Sequence, residues 1–532
     1  MPADELFAER LRKVEQLAAR GIPAYGVDFR PTATMTRARA LLDVHEREHP
    51  PEVGDVVVGP DVAVAGRVMQ LRLQGRVCFA HLEDESGRLQ AWFREDRLGD
   101  AAYDVVRALD LGDIVGVTGH VTRTKRGEPS VLADSLTMLV KALRSPPEKF
   151  HGLQDLETRY RKRYLDLLSS DAQRRHFAVR TAAIRALRAS LDARGFMEVE
   201  TPILQLVPGG GAAVPFVAHW NALHTDVYLR IAIELHLKRL LVGGYARVYE
   251  LGRVFRNEGL SPKYNPEFTM LEVYQTYATY DDMRALTETL IVDAASAVGP
   301  QAGDRDGGEP PCQDPLIRSS AGRTVDLHPP YTATRMVDLV RERCGVDVLD
   351  RWDDMQRVAD EVGVEVESDL GPGAVLLEIY EQKVEPELWE PTFVLDYPAE
   401  VSPLARRRRD DRRFVERFEL VVAGRELANA FSELNDPVDQ RRRFEEQALL
   451  RAAGATEIPP IDEDFLEAIE VGMPPAGGLG LGVDRLMMVL TGATSIRDVL
   501  LFPTMRPQHR SVAAREHDHR LHESPSERSE DG

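Results

Sequence analysis

From Val62 to Leu143 the chain falls into short β-branched runs cut by turns: VAVAGRV, RVCFAHLED, GRLQAWF, DIVGVTGHV and SVLADSLTML. Five or so strands of this length predict a small antiparallel barrel. The pattern then changes. Residues 169–506 mix long helices with strands and form the largest unit, so the chain reads as α+β, with a barrel ahead of a larger domain. Residues 1–60 form an N-terminal helical extension ending in a loop rich in proline and glycine, His49 to Pro60. The barrel takes 61–145, a polar connector 146–168, the large domain 169–506, and a polar tail 507–532 that predicts disorder. A Gly-, Asp- and Pro-rich stretch, Gly299 to Asp314, predicts an exposed excursion from the large domain.

A chain of 532 residues can bury two or three cores, and 43% hydrophobic with 29% charged residues is an ordinary globular balance. No run approaches the roughly 18 apolar residues of a membrane span, so no membrane partner is expected. The first twenty residues space Leu6, Phe7, Leu11, Val14 and Leu17 as an amphipathic surface helix, without the apolar core of a secretion signal. Cys78, Cys312 and Cys344 lack paired spacing, which argues against disulfides or structural zinc and for the cytoplasm. The net charge of −20 does not exclude a nucleic-acid partner, because binding follows local basic clusters rather than the sum. Arg123–Arg126 and Arg159–Arg163 are such clusters, and serve equally as solvated faces.

Three segments carry chemistry. In RVYELGRVFRNEGLSPKYNPEFTMLEVYQTY (Arg247 to Tyr277), strand periodicity puts Arg256 and Glu258 on one face, and likewise Phe268, Met270, Glu272 and Tyr274. An arginine that forks onto phosphate, a ring that stacks on a base and acids that bind ammonium suit a nucleotide-plus-amine site; a salt-bridged surface hairpin is the competing reading. In FELVVAGRELANAFSELNDP (Phe418 to Pro437), a turn at Gly424 brings Glu419 near Glu426, while Asn429, Phe431 and Glu433 share a face. Two carboxylates suit magnesium, or simply a solvated acidic strand. In MPPAGGLGLGVDRLMMVLTG, glycines 477, 478, 480 and 482 precede an apolar helix with Arg485 in its first turn. Glycines let a ligand approach the backbone, and the segment is neither a Walker A loop nor a Rossmann turn.

Together these segments resemble motifs of the class II aminoacyl-tRNA synthetases, and more narrowly the lysyl-tRNA synthetase family. The resemblance covers about residues 60–506 and includes FHGLQDLETRYRKRYLDLL, GFMEVETPIL, VFRNEG…NPEFTMLEVY, EPTFVLDYPAEVSPLARR, ELANAFSELNDP and GLGLGVDRLMMVLTGATSIRDVLLFP. It implies an OB-fold barrel that reads the anticodon and a catalytic domain built on an antiparallel sheet flanked by helices, assembled as a homodimer with Pro202 at the interface. The implied substrates are ATP, L-lysine and tRNA(Lys), with Mg2+ as cofactor.

Residue by residue, the resemblance implies Arg256 on the α-phosphate and lysine carboxylate, Glu258 on the adenine edge, and Phe268 and Arg485 on the two adenine faces. Glu419 and Glu426 hold magnesium; Glu234 and the backbone near Gly210 hold the α-amino end. Glu272, Tyr274 and Glu433 meet the ε-ammonium, with Asn429 and Phe431 shaping the pocket, and Arg72, Phe79, Gln90 and Glu128 read the anticodon. Acids at 272 and 433 fit an ammonium and would repel the aspartate taken by sister enzymes. Four positions depart from the family pattern: Tyr264 replaces a histidine, Val214 an arginine, and Ile233 and His236 a proline and a tyrosine around Glu234. Lys263 or Tyr264 is expected to replace the histidine in part. Alternative readings are a divergent paralogue that lysylates another acceptor or makes diadenosine polyphosphates, and a catalytically dead RNA-binding scaffold.

Overall fold

The computed structural model describes residues 3–26, 28–50, 57–147, 153–259, 261–300, 313–452, 455 and 457–508. The Gly299–Asp314 excursion and the 507–532 tail lie almost wholly outside the described residues. The chain divides into two compact units, Met1–Arg159 with Tyr164–Ser170, and Tyr160–Arg163 with Asp171–Gly532.

In the first unit, helices α1 (Ala3–Ala19) and α2 (Met35–Glu48) precede a closed barrel. Its strands are β1 (Asp61–Gln74), β2 (Val77–Glu83), β3 (Arg88–Arg94), β4 (Ile114–Arg123) and β5 (Pro129–Val140), in the order β1–β2–β3–β5–β4. Two helices, α3 (Glu95–Leu98) and α4 (Asp100–Arg107), cross between β3 and β4. β1 closes the barrel because it is long and bulged: its first half pairs with β4 and its second with β2, the register shifting between Val68 and Gln70. Alternation is strict on β2 and β3, which send Cys78, Ala80, Leu82, Ala91 and Phe93 inward. Met35, Ala38 and Leu42 of α2 join the same core. On α1 the expected stripe is largely covered: Leu17 is buried, Leu6, Phe7 and Val14 are half-buried, and Leu11 alone of the five is exposed. Arg10 is buried as well, its guanidinium donating to the Ala142 carbonyl at 2.7 Å and Ser145 Oγ at 2.8 Å.

After α5 (Leu156–Arg161) and α6 (Arg163–Ser169), the second unit is built on an eight-stranded sheet. Its elements run α7 (Asp171–Ala193), β6 (Met197–Glu198), β7 (Leu204–Gln205), β8 (Val217–Trp220), β9 (Thr225–Leu229), α8 (Glu234–Val242), β10 (Arg247–Phe255), β11 (Glu267–Thr276) and α9 (Tyr280–Val298). The hairpin β12 (Ile317–Ser320) and β13 (Arg323–Asp326) is followed by β14 (Thr332–Arg335), then α10 (Met336–Cys344), α11 (Met355–Val362), α12 (Pro372–Lys383) and β15 (Thr392–Leu395). The chain ends with β16 (Arg417–Val421), β17 (Glu426–Ser432), α13 (Pro437–Ala452), α14 (Glu463–Gly472), β18 (Ala476–Gly482) and α15 (Val483–Thr491). The sheet order is β14–β15–β16–β17–β18–β11–β10–β6, antiparallel except for the parallel edge pairs β14–β15 and β10–β6. One face of the central strands is sealed by α7, α9 and α15, with Leu187, Leu290, Leu486 and Met487 packed on Leu271, Val273, Leu479 and Leu481. Side chains of alternate residues therefore point to the opposite face, which carries the site. Among the described residues no helix is long and apolar enough to cross a membrane.

Candidate active site

β11, β17 and β18 floor a pocket in the second unit. Of the expected residues, Gly210, Glu234, Arg256, Glu258, Phe268, Glu272, Tyr274, Glu426, Asn429, Phe431 and Arg485 line it, joined by Lys263, Tyr264 and Asp484. Glu419 and Glu433 are not among the lining residues, although Glu433 reaches the lining Gly478. Phe268, Met270, Glu272 and Tyr274 share one face of β11, as their period of two dictates. Arg256 and Glu258 do not share a strand face. β10 ends at Phe255, where its partner strand gives way to Pro266, a residue with no N–H for the ladder, and both side chains stand on the following loop.

At one end of the pocket, the Arg256 guanidinium carbon lies 5.3 Å from the centroid of Phe268. Arg485 donates to the Glu426 carbonyl at 2.6 Å and to its carboxylate at 3.1 Å, and its guanidinium covers Tyr264 at 5.8 Å. Tyr264, the departure from the family histidine, is thus in contact with the arginine expected to face the nucleotide. Asp484 fixes this end. One oxygen accepts from the Thr269 backbone at 2.8 Å and the other from Arg180 at 2.5 Å, tying the start of α15 to β11 and α7. Neither Asp484 nor Arg180 stood out in the sequence, where an acid in the first turn of a helix reads as an ordinary dipole partner.

The other end is acidic and buried. Glu272 accepts from the Ile233 N–H at 2.9 Å and from the Tyr274 hydroxyl at 3.2 Å. Burial, then the neighbouring Glu234, pushes its carboxyl up to about 7 against these donors. The proline usual in the family at position 233 could not make the first of these bonds. Glu234 receives a hydrogen bond from Lys238 at 2.5 Å, and the same ammonium stands 2.5 Å from Glu433. Glu433 is pushed up to about 8 by burial in spite of that cation. Its Oε1 has no donor among the described residues and lies where a Cβ on Gly478 would be 2.0 Å away. Of the remaining departures, the Val214 carbonyl accepts from Asn257 N at 2.8 Å, and His236 Nδ1 is 3.5 Å from Gln205 Nε2.

Glu419 sits opposite Asn429 on β16 and accepts from Arg417 at 2.5 Å. The β16–β17 turn places Gly424 at φ 68° and brings Glu426 close enough that, after burial, it is the main cause pushing Glu419 up to about 8. Two half-buried oxygen-only acids that repel each other fit a hard divalent cation.

In the barrel, Arg72, Phe79 and Gln90 line a groove with His81 and Arg10. Phe79 stacks on Trp92 at 5.7 Å, and Gln90 accepts from Ser130 at 2.9 Å. Glu128 is exposed at the rim, 3.8 Å from His81. His81 and Trp92 went unnoticed in the sequence because only the cross-strand register Phe79↔Trp92 and His81↔Gln90 brings them alongside. One arginine in each basic stretch is taken up within the protein. Arg123 is held by Glu46 at 2.6 Å, and Arg163 is buried against the carbonyls of Arg497, Leu500 and Leu501, out of reach of a phosphate.

The family model "tRNA synthetases class II (D, K and N)" matches residues 155–506, and an "OB-fold nucleic acid binding domain" matches residues 62–139. A protein named lysine–tRNA ligase from Moorella thermoacetica is 49% identical over 95% of this chain and 98% of its own length. Proteins of the same name from Carboxydothermus hydrogenoformans and Oceanobacillus iheyensis are each 47% identical, over 95% and 94% of this chain and 99% of their own lengths.

Proposed function

Because the chain belongs to the class II (D, K and N) tRNA synthetases, we propose that it is a lysine–tRNA ligase, activating L-lysine with ATP and transferring it to tRNA(Lys). The observation that carries the choice of amino acid is the buried acid set Glu234, Glu272 and Glu433 beside an arginine- and phenylalanine-lined end of one pocket. Buried carboxylates welcome a protonated amine and exclude another carboxylate.

In this reading the adenine stacks between Phe268 and Arg485, with Glu258 at its edge. Arg256 neutralises the α-phosphate and steers the lysine carboxylate onto it. Glu234 and the Gly210 backbone take the α-ammonium; Glu272, Tyr274 and Glu433 take the ε-ammonium, with Asn429 and Phe431 shaping the space between. Glu419 and Glu426 would hold Mg2+, which supplies neutralisation of triphosphate charge. Attack of the carboxylate on phosphorus releases pyrophosphate, and the 3′-hydroxyl of the terminal adenosine then attacks the adenylate. No covalent enzyme intermediate is needed; positioning and fixed positive charge do the catalysis. Arg72, Phe79, Gln90 and Glu128 read the anticodon by stacking and edge contacts. The exposed apolar residues around Pro202, namely Met197, Ile203, Leu204 and Leu206, support a homodimer, and the work is cytoplasmic.

Pyrophosphate exchange with each of the twenty amino acids, followed by charging of purified tRNA, tests the proposal. L-lysine is expected to dominate both steps. Preferential adenylation of aspartate would end it.

A further inference from the structure

We propose that Lys238 is a positioning residue for the amino-acid substrate, a built-in ammonium that bridges Glu234 and Glu433 and cancels one of the pocket's three buried negative charges. The inference rests on the reading that lysine is the substrate.

Lys238 stands one helical turn after Glu234 on α8, a spacing that on a surface helix would be a weak ion pair. Here nothing about it is on a surface. Its side chain has no exposure, its Nζ is 2.5 Å from Glu234 Oε1 and 2.5 Å from Glu433 Oε2, and the rings of Phe431 and Phe465 flank it at 5.4 and 5.9 Å. It does not line the pocket, so it meets the substrate only through the two acids.

Charge arithmetic gives this ammonium its purpose. Glu234, Glu272 and Glu433 bring three carboxylates, whereas lysine brings two ammonium groups and sends its own carboxylate to Arg256. An unmatched buried charge is costly, so without Lys238 one acid would hold a proton or swing away. With Lys238 in place and the three acids ionised around bound lysine, two negative charges remain for two positive ones. The ammonium stands 2.5 Å from Glu433 Oε2, and among the described residues neither Glu433 oxygen has a hydrogen-bond donor; Oε1 lies beside Gly478, which faces the pocket. A fixed cation thus aims an open acceptor.

The test is pyrophosphate exchange on the full chain, with lysine and ATP varied separately, for the wild type, Lys238→Met and Lys238→Arg. If Lys238→Met does not fold by circular dichroism, Lys238→Gln replaces it. The neutral variant should raise KM for lysine at least about tenfold and KM for ATP by less than about twofold, and Lys238→Arg should recover most of the loss. Three results would overturn the proposal: an unchanged KM for lysine, a parallel loss for lysine and ATP, or an arginine variant as poor as the neutral one. A wild type that prefers another amino acid overturns the parent reading as well, whereas a lysine-specific wild type with an indifferent Lys238 overturns this inference alone.

Discussion

Gly478→Ala should separate amino-acid binding from nucleotide binding by the addition of one methyl group. Gly478 lies on β18 opposite Tyr274 on β11 and Phe431 on β17. An added Cβ would meet Glu433 Oε1 at 2.0 Å and the Tyr274 ring at 2.6 and 3.0 Å. Ordinary contact begins at 3.4 Å, so the Glu433 carboxylate would have to withdraw by about 1.4 Å. It has nowhere to go, because the fully buried Lys238 ammonium stands 2.5 Å from its other oxygen. The alternative is for Tyr274 to move, which loosens its hydrogen bond to Glu272. Overpacking of this kind costs about 1–3 kcal/mol. Charged to the lysine complex, that is about a five- to hundredfold rise in KM for lysine, at roughly 1.4 kcal/mol per tenfold. Phe268, Arg256 and Arg485 are untouched, so KM for ATP should stay within about twofold. Gly480→Ala is the control: the same methyl, two residues along the same strand, meets only Met270 Cε at 3.1 Å and the Asn429 carbonyl at 3.8 Å, and the flexible methionine can yield. It should change KM for lysine by less than about threefold. Steady-state pyrophosphate exchange measures both constants. A Gly478→Ala enzyme with wild-type KM for lysine, or one no different from Gly480→Ala, would refute the placement of Glu433 at the amine.

Lysine binding should also depend on pH through Glu272, whose carboxyl burial raises to about 7. Pairing needs the ionised form, so KM for lysine should rise as pH falls through 7, by up to about tenfold per unit, and level off only above about 8, where Glu433 is ionised too; Glu272→Gln should remove the part of the profile near 7. The folded chain holds the extra proton between the ordinary carboxyl value and 7, so the substrate-free protein should lose stability as pH rises through that window, a trend that Glu433 and Glu419 share and that Glu272→Gln lessens in thermal melts. Phe268→Ala deletes the stacking face and should raise KM for ATP about five- to hundredfold, from about 1–3 kcal/mol per stacked base, with KM for lysine nearly unchanged. Phe79→Ala in the barrel should leave pyrophosphate exchange at the wild-type rate while weakening tRNA charging; equal damage to both would remove Phe79 from the anticodon reading.

Much of the architecture was written in short-range pattern. Strict alternation in RVCFAHLED and GRLQAWF announced barrel strands, and the Gly424 turn and the glycine run before Arg485 announced where backbone bends and where it opens. A period of two also put Phe268, Met270, Glu272 and Tyr274 on one side of one strand. These signals are local: they need only φ, ψ and the step of a strand, which neighbouring residues settle among themselves. Charge pairing is different. Lys238 and Glu234 have the spacing of a routine helix pair until the residue after β17, Glu433, arrives from almost two hundred residues away, and Asp484 gains its role only when α7 supplies Arg180. Arg163, in a basic stretch that suited RNA phosphate or a solvated face alike, is buried on three carbonyls. The chain by itself therefore determined its strands, turns and inventory of acids, arginines and rings. Only the tertiary structure decided which of those charges are spent on one another and which face the pocket, because an ion's partner and its burial are set by what packs around it and not by its neighbours in sequence.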